Sequence, residues 1–176
     1  LCGDLEYEVL NNMDPDISYE PFGVMTIHRQ SNCSAERIKK ILSFCEKTKT
    51  EIKFFVHHRI KPLLPSTIPS NVTLLDSCPY SEMVDNLARC AWVITDSGGL
   101  QKTSAFFGKR TLVKRDNTEW KEVEDRNYAR LSNFSKEDIK WLKEGTTERR
   151  KYFYLTYRMP SDLIFSTIMN KEEENE

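Results

Sequence analysis

Short β-branched runs alternate with amphipathic stretches through the middle of this 176-residue chain, and that alternation leaves few architectures open. Residues 23–27 (GVMTI) have the pattern of a buried strand. Ser34 follows as a helix N-cap, and the stretch 35–47 places Ile38, Ile41, Leu42 and Cys45 on one helical face. Residues 52–57 (IKFFVH) predict a second strand, followed by a loop holding Pro62, Pro65 and Pro69. Residues 72–75 predict a strand and 81–90 a helix. Residues 92–95 (WVIT) predict a strand running into the turn Asp96-Ser97-Gly98-Gly99. A helix over 100–107 closes at Gly108, and 111–113 predicts another short strand. Parallel strands need a crossover, usually a helix, to return to the same sheet. The expected fold is therefore α/β, a Rossmann-like parallel sheet with helices on both faces. Ligands in such sheets sit beyond the carboxyl ends of the strands, near the point where strand order reverses.

Beyond residue 133 the pattern changes. Residues 135–143 predict a helix with Ser135 as N-cap and Glu137 and Asp138 in its first turn. A charged stretch over 146–151 and an aromatic one over 152–157 follow. A last helix is expected from Ser161 to about Met169, and residues 171–176 (KEEENE) read as a frayed, solvated end. The chain divides into an interdomain segment, 1–20, a Rossmann-like domain, 21–133, and C-terminal helices and tail, 134–176.

Composition narrows the partners. Twenty-six basic residues against 27 acidic ones give a net charge of −1, which argues against a nucleic-acid or membrane-surface protein. No run approaches the roughly 18 apolar residues of a membrane span. Cys2, Cys33, Cys45, Cys78 and Cys90 are scattered and odd in number, which disfavours disulfide or zinc frameworks and suits a reducing cytoplasm. The chain opens at Leu1 without a methionine, and so reads as a piece of something longer.

The densest chemical signal is WVITDSGGLQ, residues 92–101. Two glycines between a buried strand and a helix let a ligand approach the backbone, and the first helical N–H groups then face it. Together with the helix dipole and the Ser97 hydroxyl this makes an anion site suited to a phosphate or diphosphate. A tight turn capped by Ser97, with nothing bound, is the plain alternative. Thr26-Ile27-His28-Arg29 leaves the first strand on the same rim, where arginine offers a planar donor fork and histidine a proton near neutrality. His57 and His58 sit at the next strand exit. Arg115 leaves a further strand, with Asp116 or Glu119 placed to hold it. Tyr80 and Met83 open a helix that can line a base pocket. Each of these stretches also has an ordinary reading as a solvated loop or helix start. No metal-ligand spacing, nucleophile elbow, Walker loop or GxGxxG loop is present, so no cofactor or metal and no covalent catalysis is expected.

Together these stretches resemble the non-hydrolysing UDP-N-acetylglucosamine 2-epimerase family. The resemblance lies in TIHRQSN at 26–32, FFVHH at 54–58 and TDSGGLQKTSAFFGKRTLVKRDNTEW at 95–120, with the opening of the chain, 2–10, resembling the family's exit from its first domain. It implies the C-terminal half of a two-domain GT-B arrangement, with substrate in the cleft between domains. The implied reaction inverts C2 of a UDP-N-acetylhexosamine by eliminating UDP and adding it back. Ser97, Gly98 and Gly99 would hold the diphosphate, with His28 beside it and Arg115 near the leaving group. Arg29 would contact substrate, Met83 the uracil, and His57 the cleft or a second, activating UDP-sugar. The proton would be handled by carboxylates of an N-terminal domain, so the chain alone is expected to be inactive. The resemblance leaves open a homodimer of the full-length protein.

Three positions depart from the family pattern. Thr103 stands where a glutamate binds the ribose hydroxyls, Tyr157-Arg158-Met159 replaces a glycine-rich turn, and the second strand exit reads HHRI. The QK after the glycines and the TEW ending resemble members acting on modified or di-N-acetylated sugars. Alternatives to an epimerase half are a GT-B glycosyltransferase domain and a binding domain that has lost catalysis.

Overall fold

Capping residues end the helices much where the sequence predicts. In the computed structural model the described residues are 4–145 and 159–173. Their order is α1 (Leu5–Met13), β1 (Phe22–Thr26), α2 (Ala35–Thr48), β2 (Glu51–Phe55), β3 (Val72–Leu75), α3 (Tyr80–Arg89), β4 (Trp92–Thr95), α4 (Gly98–Phe106), β5 (Arg110–Val113), α5 (Lys121–Asp125), β6 (Ala129–Leu131), α6 (Lys136–Gly145) and α7 (Pro160–Glu173). Ser34 caps α2, its hydroxyl accepting the Arg37 N–H at 3.3 Å, and the helix stops at Lys49 in the left-handed region, φ 56°. Single 3-10 turns at Gln30–Asn32 and Lys61–Leu63 shape the loops after β1 and β2.

The sheet is parallel throughout, in the order β3-β2-β1-β4-β5-β6. This is the Rossmann order, in which the chain works outward from β1 to one edge and then from β4 to the other. Gly23 pairs with Trp92 across β1 and β4, and a Cβ on Gly23 would run into the Trp92 ring. The glycine is what lets that indole lie flat in the core, 1% exposed.

Both faces of the sheet are covered. One cluster packs Ile38, Ile41 and Leu42 of α2 and Trp141 and Leu142 of α6 against Met25, Phe54, Ile94 and Leu112. The other packs Val84 and Leu87 of α3, Ala105 and Phe106 of α4 and Val123 of α5 against Val24, Phe55, Val93 and Val113. β1 and β4, in the middle of the sheet, read as nearly unbroken apolar runs because each is buried along its whole length.

Three elements go beyond the sequence reading. α1 forms behind its N-cap Asp4, whose carboxylate accepts the Glu6 N–H at 2.8 Å, and it buries Leu10 in the second cluster with Tyr7 and Met13. Its exposed Leu5 and Val9 blur the apolar stripe that would have announced it. β6, three residues long at the sheet edge, is too short to show a period, and α5 spans one turn. The helix after Pro160 also runs through Glu173, so residues 171–173 are helical rather than frayed. Cys2, the charged and aromatic stretches over 146–157, Tyr157, Arg158 and residues 174–176 lie outside the described residues.

Candidate functional site

The last paired residues of β1 and β4 are Thr26 and Thr95. Beyond them the chain departs toward β2 on one side and β5 on the other, and a crevice opens at this reversal of strand order. The two threonine hydroxyls bond each other at 2.8 Å, and Thr95 Oγ1 also accepts the Ser97 N–H at 3.0 Å, which turns the chain into α4.

Asp96 organises the crevice. It is fully buried, and its carboxylate accepts the backbone N–H of His28 at 3.1 Å, that of Arg29 at 2.9 Å and the Asn32 side-chain amide at 2.9 Å. His28 Nδ1 lies 3.1 Å from the same carboxylate, and Arg29 Nε donates to the Asp96 carbonyl at 2.8 Å. Burial works to raise the Asp96 carboxyl, but hydrogen bonds from His28, Asn32 and the Arg29 amide together hold it below the ordinary aspartate value. A charged carboxylate thus fixes the loop after β1 to the turn after β4. With Nδ1 turned to Asp96, Nε2 is the His28 nitrogen left for a ligand.

At the amino end of α4, Ser97 caps the helix, its hydroxyl accepting the Leu100 N–H at 3.4 Å. The amides of Gly98 and Gly99, first in the helix, have no acceptor within it. A Cβ on Gly98 would run into the Glu119 carboxylate, whereas one on Gly99 would meet only the Ser97 hydroxyl, at 3.9 Å. An internal anion therefore rests against the turn. Glu119 is held there by Arg115, Nη1 to Oε2 at 2.6 Å, although the N–H is misaligned and Nη1 remains without a formed hydrogen bond. Burial acts to raise Glu119, and its own amide and Arg115 outweigh it, leaving the carboxyl below the ordinary glutamate value. Trp120 Nε1 is also buried without a partner and lies 3.5 Å from where a Gly98 Cβ would stand. An unsatisfied buried donor beside the glycine turn marks a place where an acceptor belongs.

The family profile described as UDP-N-acetylglucosamine 2-epimerase matches residues 4–153. The chain belongs to this family. A UDP-2,3-diacetamido-2,3-dideoxy-D-glucuronate 2-epimerase from Pseudomonas aeruginosa is 35% identical over 114 residues, covering 60% of this chain and 31% of that protein. Among solved structures, the Methanocaldococcus jannaschii UDP-GlcNAc 2-epimerase in complex with UDP-GlcNAc and UDP aligns with TM-score 0.71 at 21% identity, over 96% of this chain and 49% of that one. The Neisseria meningitidis UDP-GlcNAc 2-epimerase bound to UDP-GlcNAc aligns with TM-score 0.69 at 20% identity, over 97% and 55%. The chain thus spans about a third of that curated relative and about half of these structures. Its fold is the Rossmann-like half of the GT-B architecture.

Within this 2-epimerase-family domain, His28, Arg29, Ser97, Gly98, Gly99 and Arg115 share the rim at the β1/β4 crevice. His57 joins them, its ring centroid 5.8 Å from that of His28. Burial, then His58, His28 and Arg59, push His57 below the ordinary histidine value, so it is neutral at pH 7. Of the two acids expected to hold Arg115, Glu119 does so and Asp116 stays exposed. Met83 is half-buried against the second cluster, and its N–H donates to the Pro79 carbonyl at 3.1 Å, which leaves its thioether side chain rather than that amide for a base. Thr103 is 2% exposed, its hydroxyl donating to Glu6 of α1 and to the Gly99 carbonyl of the glycine turn. A cavity of about 600 Å³ beside the rim is lined by Arg29, Asn32, Arg37, Lys47, Lys114 and Arg115 among others. Gly98 and Gly99 do not line it. Among the described residues no His, Cys, Asp or Glu cluster could hold a metal, and no helix is long and apolar enough to cross a membrane. The four described cysteines are free, and burial pushes the Cys45 and Cys90 thiols up to about 12.

The sequence pattern placed Asp96, Asn32 and Trp120 in these stretches without giving them a part, and did not point to Glu6. Asp96 carried a usable signal, an acid directly after four consecutive buried strand residues. Glu6 carried none, since its partner Thr103 is 97 residues away.

Proposed function

We propose that this chain is the UDP-binding C-terminal domain of a UDP-N-acetylhexosamine 2-epimerase, active only when completed by a second domain. The observation that carries this reading is the buried Asp96 hub, which sets His28 and Arg29 on the rim beside the glycine turn and the unpartnered Trp120 Nε1.

In this reading the diphosphate takes the α4 amides and the Ser97 hydroxyl, displacing the Glu119 carboxylate. Arg115 exchanges Glu119 for a phosphate oxygen, and His28 Nε2 faces the departing diphosphate as a donor. The C1–O bond to UDP breaks as a base outside this chain removes the C2 proton. Re-addition of UDP to the resulting glycal, with protonation at C2 from the opposite face, completes the inversion. Asp96 is fully buried and held by donors from His28, Arg29 and Asn32, so it is not placed as that base. The identity with the Pseudomonas protein, and the QK and TEW positions, support a modified, diacetamido UDP-sugar as substrate. Lys102 of QK and Trp120 of TEW meet there, the ammonium 4.9 Å from the indole centroid.

Titrating UDP into the chain and following the Ser97, Gly98 and Gly99 amide signals tests the binding site. Saturable shifts that spread to His28 and Arg115 are expected. Silence at millimolar UDP would overturn the reading, and measurable epimerisation by the pure chain would overturn its dependence on a second domain.

A further inference from the structure

We propose that Glu6, delivered by α1, is the carboxylate that receives the ribose hydroxyls of the bound nucleotide. The inference rests on the UDP-binding reading above and assigns that site its nucleoside-recognising group. Glu6 Oε1 accepts the Thr103 hydroxyl at 2.6 Å and the Tyr80 hydroxyl at 3.1 Å, and its Oε2 pairs with Lys102 Nζ at 2.8 Å. The single Thr103 proton is shared with the Gly99 carbonyl, 3.0 Å away. That carbonyl belongs to the same turn whose amides face the crevice, so the Glu6 carboxylate sits about one helical turn, ~5.4 Å, along α4 from the anion site. A nucleoside diphosphate carries its ribose hydroxyls only a few bonds from its phosphates. In dinucleotide-binding sheets an acidic residue beside the phosphate turn accepts those hydroxyls in the same way.

Charge makes the case stronger. Lys102 also pairs with Asp4 at 2.7 Å, and one carboxylate suffices to neutralise it. Adding Glu6 leaves a net negative cluster beside a turn built to attract an anion, an arrangement that repels ligand unless the ligand also brings donors. A vicinal diol brings two. A carboxylate has about four lone-pair sites. The bonds from Thr103, Tyr80 and Lys102 occupy three of them, and Tyr80, 49% exposed, is free to swing away and release a second. The threonine at 103 is then no loss of recognition: the carboxylate has moved from α4 to α1. Ribose binding and the docking of α1 become one event.

Calorimetric titration with UDP and with 2′,3′-dideoxy-UDP tests this, on the unaltered chain, Glu6→Gln, and Glu6→Ala combined with Thr103→Glu. The unaltered chain should favour UDP by about tenfold, the scale of a charge-assisted hydrogen bond. Glu6→Gln should bring the two ligands to within about twofold, and the double variant should restore the preference by returning a carboxylate to the same spot. Equal binding of both ligands to the unaltered chain overturns the proposal. So does a preference unchanged in Glu6→Gln while the melting temperature falls, which would make Glu6 a clasp only. Failure of both ligands to bind the unaltered chain removes the UDP reading itself, and this inference with it.

Discussion

Two acids flank the first turns of α4, and they are held in opposite ways. Asp96 is sealed at the end of β4, the partners of its carboxylate all supplied by the loop that leaves the adjacent β1, and none of its side chain reaches water. Glu6 comes from α1, keeps a quarter of its side chain exposed, and is anchored by long flexible partners, Lys102 and Tyr80. The first arrangement is a consequence of sheet order: once β1 lies beside β4, the amides of His28 and Arg29 must find an acceptor there. The second is a docking contact between elements far apart in sequence, and such a contact can change its chemistry without disturbing the sheet.

The largest expected effect is on the sealed side. Asp96→Ala strands the buried donors of His28, Arg29 and Asn32 and should cost about 3 kcal/mol in urea unfolding, whereas Glu6→Ala should cost under about 1 kcal/mol. Equal losses would erase the contrast. The UDP-induced amide shifts at Ser97 to Gly99 should also vanish in the Asp96 variant.

Acid sharpens the same comparison. The Asp96 carboxyl is held below its unfolded value near 3.9, so its stabilisation is fully present above that pH and is lost as pH falls through the folded value. The stability gap between the unaltered chain and Asp96→Asn should therefore stay constant down to about pH 4 and shrink below it. A gap that widens in acid would contradict a charged Asp96.

Smaller effects belong to the open edge. Arg115→Ala should weaken UDP about tenfold by removing a buried guanidinium from the anion site. Glu119→Gln should tighten UDP about threefold, because the internal anion at Gly98 no longer competes. Weaker binding in the Glu119 variant would mean that the carboxylate positions Arg115 for ligand rather than standing in for it.

Much of this was legible from local pattern. The strands at β1, β2, β4 and β5 lie within about two residues of their apolar runs, because inner strands of a parallel sheet are largely buried on both faces. The capping roles of Ser34 and Ser97 followed from serine standing just before a helical pattern. His28, Arg29, Ser97 and Arg115 could be named because strand exits in a parallel sheet share one rim. β6 and α5 were not legible, being too short to carry a period.

What the sequence by itself determined is the alternation, the parallel sheet, the glycine turn and the cations at the strand exits, all signals carried within a dozen neighbouring residues. Only the tertiary structure decided which acid does what. Asp96 became a hub because β1 and β4 are adjacent, Glu119 rather than Asp116 took Arg115, and Glu6 met Thr103 across 97 residues. Such pairings depend on which surfaces pack together, and a contact between distant segments leaves no periodic trace in either one.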